Sequence, residues 1–153
     1  MSRRATALGV LALALLGLGC AEETGRLDAG QEQRLAAEGI ARRANNLVFR
    51  HTRHGGARWE DRRASIVVTH GTLLIHRNGE VEFLLEGHSR RNCEVHRDHT
   101  RVRISAGSGA SAEAWSFEPP DDPEGWTTDI RGTLRAIRSA AGRAGAATPE
   151  PSR

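Results

Sequence analysis

Two cysteines and seven histidines are the residues of this chain with the widest chemical reach. Cys93 lies in the run Asn92-Cys93-Glu94-Val95-His96, and together with a histidine and an acid it could act as a nucleophile. Beside Val95 in a strand-like run, however, a lone cysteine more often serves as a small buried hydrophobe. His51 and His54 stand three residues apart, as do His96 and His99. That spacing brings two imidazoles to one zinc ion where the backbone is helical or turned. Neither pair falls on a clear helix, and arginines that would repel a cation flank the first pair, so no metal and no cofactor is expected. The chain has no Gly-x-Ser-x-Gly elbow, Walker loop, His-Glu-x-x-His pair or dinucleotide fingerprint. The expectation is therefore a noncatalytic protein, with a small hydrolase or redox protein using Cys93 as the alternative.

The second cysteine, Cys20, raises a question of compartment. Ser2-Arg3-Arg4 supplies positive charge, and Ala7 to Gly19 follows without a charged residue. That run falls short of the roughly 20 apolar residues needed to span a bilayer, but it suits an export signal with a basic start and small residues at its end. The segment Leu15-Leu16-Gly17-Leu18-Gly19-Cys20 resembles the lipobox of bacterial lipoproteins, in which the signal is cut before the cysteine and lipid is attached to its sulfur. Gly17 and Leu18 depart from that pattern's order of residues, which keeps ordinary signal cleavage and a retained anchor open. The resemblance implies lipidation of Cys20 and a membrane contact through that lipid. With Ala21 rather than aspartate next, it also implies the outer membrane, facing the periplasm.

From Cys20 onward the chain has the length of one domain. All 22 basic residues are arginine, and removal of Arg3 and Arg4 lowers the net charge from +3 to +1. The pI near 10 thus reflects arginine without lysine or tyrosine rather than a large positive surplus, and no nucleic-acid partner is expected. The divisions read along the chain are a signal over 1–19, a lipidated cysteine and polar tether over 20–30, one globular domain over 31–141, and a tail over 142–153 rich in Gly, Ala and Pro.

Within the domain, Leu35, Ala36, Ile40, Ala44, Leu47 and Val48 fall roughly on one helical face, which predicts a helix from Gln31 to Asn45. Asn45-Asn46 then favours a stop, and Leu47 to His51 continues as a strand. Asn78-Gly79 between two apolar runs predicts a two-residue hairpin with Arg77 opposite Glu80. In an unbroken register Leu74, His76, Val81, Phe83 and Leu85 share the buried face, Glu80, Glu82 and Glu86 take the other, and Ile75 and Leu84 are more exposed. Short runs at 64–69, 93–97, 100–106 and 112–118 add further strands. After them Asp122 can cap a helix that begins with Pro123. Its apolar stripe is Trp126, Ile130, Leu134 and Ile137, with Arg131, Arg135 and Arg138 toward solvent and Gly132 suited to close packing.

An antiparallel meander of six or seven strands closed by one amphipathic helix resembles a pleckstrin-homology-like barrel, over roughly Leu47 to Ala140. The fold class expected is thus α+β, with the first helix additional to that pattern. The resemblance implies an anion site around the loop joining the first two strands, where Arg50, Arg53, Arg58, Arg62 and Arg63 gather, because guanidinium offers paired donors in a fixed plane to phosphate. It implies a binding or scaffold module rather than a particular ligand. A further reading is a subunit of a larger envelope assembly, contacting a protein partner through a sheet edge or the first helix.

Overall fold

The computed structural model describes residues 26–53, 60–87, 89 and 92–146. Cys20, His54 and Arg58 lie outside these residues, as do the signal, most of the tether and the end of the tail.

Asp28 opens the fold by accepting a hydrogen bond from the Gln31 N–H at 2.9 Å, the N-cap of helix α1 (Ala29–Ala37). The helix is shorter than the predicted Gln31–Asn45. Gly39 takes a φ of +79°, and the N–H groups of Glu38 and Gly39 turn back to the carbonyls of Arg34 and Ala36. A left-handed glycine here ends the helix, and the chain leaves as strand β1 (Ile40–Arg53). The apolar spacing that looked helical therefore belongs to two elements. Leu35 is buried beneath α1, while Ala44 and Phe49 are buried on the sheet. Asn45-Asn46 is not a stop but an irregularity within β1, where the register shifts and Asn46 takes a φ of +55°. Asparagine tolerates that conformation, and the bulge bends one long strand rather than ending it.

Six more strands follow: β2 (Glu60–Thr69), β3 (Thr72–Arg77), β4 (Glu80–Glu86), β5 (Cys93–Asp98), β6 (Arg101–Ala106) and β7 (Glu113–Phe117). They form one antiparallel sheet in the order β4-β3-β2-β1-β7-β6-β5 that curls into a half-barrel. The far half of β1 pairs with β2 on one side and β7 on the other. Helix α2 (Pro123–Ala146) closes the structure. This is the α+β meander with two helices that was expected.

The β3–β4 hairpin turns at Asn78-Gly79 with Arg77 opposite Glu80, as predicted. Its faces differ from the prediction. His76 pairs with Val81 but Ile75 pairs with Phe83, so β4 carries one extra residue. That bulge reverses the sidedness of everything beyond it. Ile75, Phe83, Leu73 and Leu85 enter the main core, and Val81 is exposed. Leu74 and Leu84 face the other way, where with Val67 they pack against Leu27 and Leu35 beneath α1.

Helix α2 begins as expected, with the Asp122 carboxylate accepting from the Gly125 N–H at 3.0 Å and Pro123 in first place. Trp126, Ile130, Leu134 and Ile137 are all buried in the main core. Trp126 meets Phe117 edge-on at 5.6 Å, and Phe117, Phe49 and Trp115 continue the aromatic contacts inward. Close packing involves Gly125 rather than Gly132. A Cβ at Gly125 would overlap the Asp122 carboxylate and the Arg42 guanidinium, whereas one at Gly132 would meet nothing. The helix runs on to Ala146, past the Gly142 at which the tail was expected to start. Among the described residues no helix is long and apolar enough to cross a membrane.

Candidate functional site

Strand alternation divides the arginines expected to gather as an anion site. Arg53 on β1 and Arg62 on β2 share the concave face with Phe49 and His51, since Phe49 pairs with Arg62. Arg50 and Arg63 project from the opposite face. Arg50 lies 3.9 Å from Asp61, and Arg63 reaches the Asn46 side chain at 3.5 Å.

Two carboxylates occupy the concave cluster. Glu82, only 12% exposed, receives Arg53, Arg62 and Arg77, each at 3.4 Å. Glu113, 10% exposed, lies 3.5 Å from His51 Nε2 and 3.9 Å from Arg53. Charges this far out of water persist when paired. An anion entering from the concave side would have to displace Glu82 from three guanidinium groups. Strand alternation alone places Glu82 toward solvent, and the β4 bulge, which carries no local sequence signal, turns it inward.

His51 stacks on Trp115 with ring centroids 3.7 Å apart, and neither its Nε2 nor Trp115 Nε1 has a hydrogen-bond partner among the described residues. Burial pushes the His51 pKa below the ordinary histidine value; proximity to Glu113 opposes this, and Arg53 and Arg62 reinforce it. On the other face of the sheet His76 is also buried with Nδ1 unpartnered. Burial and then Arg43 lower its pKa against the pull of Glu32. His96 and His99 lie exposed around the β5–β6 turn. Among the described residues no three histidine, cysteine or carboxylate side chains gather as metal ligands.

Cys93 is 1% exposed within the main core. Its backbone carbonyl accepts a hydrogen bond from Arg138 on α2, which ties the start of β5 to the closing helix. Alongside lies an open groove of about 420 Å³ between α2 and β5. Leu134 and Val95 form its floor, and Arg131, Arg135, Arg138 and His96 its basic rim, with Glu94 the sole acid. The arginine row was legible as the solvent side of α2. The groove was not, because its other wall comes from a strand some forty residues earlier in the chain.

No protein family and no curated protein matches this chain. Among solved structures it is similar to the solution structure of the pleckstrin homology domain of the human KIAA0053 protein, at 10% identity and a TM-score of 0.34, over 74% of this chain and 95% of that one.

Proposed function

We propose that this chain is a noncatalytic binding or scaffold module, held at a bacterial envelope membrane by lipid on Cys20. The observation that carries the noncatalytic reading is the position of Cys93. Its thiol lies among apolar core side chains, where the thiolate needed for attack is disfavoured. The arginines of the concave face are already engaged by Glu82 and Glu113, so recognition falls to the outer surface. The lipid anchor rests on the sequence from Ser2 to Ala21, which joins a basic start, a short apolar run and a cysteine. Multiple acyl chains on one terminus hold a protein stably where one chain is marginal.

Intact mass spectrometry of the protein expressed with its own signal in a bacterial host, beside Cys20→Ala, tests the anchor. A species beginning at Cys20 with added acyl mass is expected, and the variant should lack it. An unmodified secreted chain would overturn the anchor. On native protein, iodoacetamide should modify Cys93 only as fast as global unfolding exposes it. Rapid reaction at neutral pH would favour the alternative of chemistry at Cys93.

A further inference from the structure

We infer that α1 is a latch opened by acid: when His76 beneath it takes up a proton from solvent, the helix lifts from the sheet about Gly39 and uncovers Val67, Leu74 and Leu84. The latch is independent of lipid on Cys20 and of any ligand the module binds.

His76 lies two residues after Leu74 on β3, so it shares the face on which Leu74, Val67 and Leu84 pack against Leu27 and Leu35. It is 4% exposed, and its Nδ1 has no hydrogen-bond partner among the described residues. A second proton turns both ring nitrogens into donors, which leaves Nδ1 without an acceptor. The charged groups around the ring do not supply one. Glu32 on α1 favours the charged form, but both its oxygens lie within 2.7 Å of Arg43 on β1. Arg43 itself opposes a second positive charge, and Arg63 stands two residues from Ser65, which is opposite His76 on β2. Asp28 is occupied in capping α1, and Arg34 in pairing with Glu86. From β4 come Val81 and Leu84, which carry no charge. An imidazolium here therefore needs water, and water needs an opening.

Of the two sides of this interface, α1 is the one that gives. β3 pairs with β2 and with β4, so moving His76 from below would break two ladders. α1 has nine residues, and a helix that short is not stable apart from its packing. It is fastened by Leu35, by Leu27 just before it, by the Thr69–Glu38 hydrogen bond, and by two ion pairs whose side chains are 32–49% exposed. Exposed pairs contribute little. Gly39, left-handed at the joint with β1, supplies the pivot. Burial and then Arg43 lower the His76 pKa while the helix is down. With the helix lifted, the ring returns to the ordinary value of about 6.5. Opening thus binds a proton and is favoured as pH falls below that value.

The test is hydrogen exchange of the full chain, read by mass spectrometry at pH 7.5 and 5.5 as protection factors, which remove the intrinsic pH dependence of exchange. α1 should be less protected than β6 and β7 at both values, and its protection should fall by about tenfold at the lower one. His76→Gln should make α1 protection independent of pH, and His51→Gln should leave the fall in place. NMR titration of the histidine ring carbons in the unsubstituted chain checks the same coupling without a variant, because His76 should stay neutral wherever α1 stays protected. Equal protection of α1, β6 and β7 at pH 5.5 would overturn the latch, since α1 would then leave only with the whole fold. A fall that persists in His76→Gln would do the same, as would a His76 that titrates near 6.5 beneath a protected helix. A gain of α1 protection at pH 5.5 would also overturn it, with Glu32 leaving Arg43 to hold the imidazolium and tighten the helix.

Discussion

Buried histidines link this fold to pH. His51 and His76 sit on opposite faces of the same sheet, and burial is the first cause of the lowered pKa of each. The unfolded chain, with ordinary histidine values, binds protons at a higher pH than the folded chain does. Stability is therefore fully present above the unfolded value of about 6.5 and is lost as pH falls below it, with a slope approaching 1.4 kcal/mol per pH unit for each histidine. Urea midpoints should be flat from pH 8 to 7 and decline below about 6.5. His76→Gln should reduce the slope by up to one proton. A slope unchanged in both His76→Gln and His51→Gln would remove these two groups as the cause. His51 is committed to Trp115 inside the half-barrel, while His96 and His99 are at an exposed turn.

At the level of elements, α2 is held by its cap and its stripe, and Gly125 in its first turn and Gly132 further along have opposite roles. Asp122 accepts from the Gly125 N–H and also receives Arg42, whose Nε reaches Asp129 at 2.6 Å. The guanidinium lies 6.0 Å from the Trp126 ring centroid. The first turns of α2 are thereby joined to β1 by charge, hydrogen bonding and a cation–π contact at once. Gly125→Ala inserts a methyl into that junction and should destabilise the fold by about 1–3 kcal/mol. Gly132→Ala, in open space on an exposed helix face, should stabilise it by about 0.5–1 kcal/mol. Thermal unfolding of the two variants should move in opposite directions, and a shared direction would contradict this account. Glycine in a helical pattern suggested close approach, but only tertiary contacts distinguish the crowded position from the open one.

The whole molecule places apolar surface on both sides of one sheet. The concave side closes on α2, and the outer side of β2, β3 and β4 closes on α1 and the residue before its cap, Leu27. Two ion pairs fasten α1, Glu32 with Arg43 and Arg34 with Glu86, and Thr69 donates to Glu38 at 2.7 Å. The segment joining any membrane tether to the domain is thus itself part of the fold. Deleting residues 1–38 should uncover Val67, Leu74 and Leu84, lower the unfolding temperature, and produce self-association detectable by light scattering. A monodisperse deletion as stable as the parent would show that α1 is an appendage.

Local chemistry determined a good part of this protein directly. The Asn78-Gly79 turn, the Asp122-Pro123 helix start and the stripe from Trp126 to Ile137 each depend on residues a few positions apart, and each stands where the sequence puts it. Chain length likewise favoured one domain, and short runs bounded by Gly, Asp, Asn or Ser favoured an antiparallel sheet. What the tertiary structure alone decided turns on single residues of register and on distant partners. Gly39 ends α1 because the following segment finds pairing along β2, a long-range gain that outweighs helical periodicity. The bulges at Asn46 and in β4 change which face each later residue occupies, and with it whether Glu82 meets water or three arginines. The groove beside β5 exists only because α2 returns to that edge after the sheet is complete. Periodicity measures the preferences of neighbours, and these features depend on contacts between residues far apart in the chain.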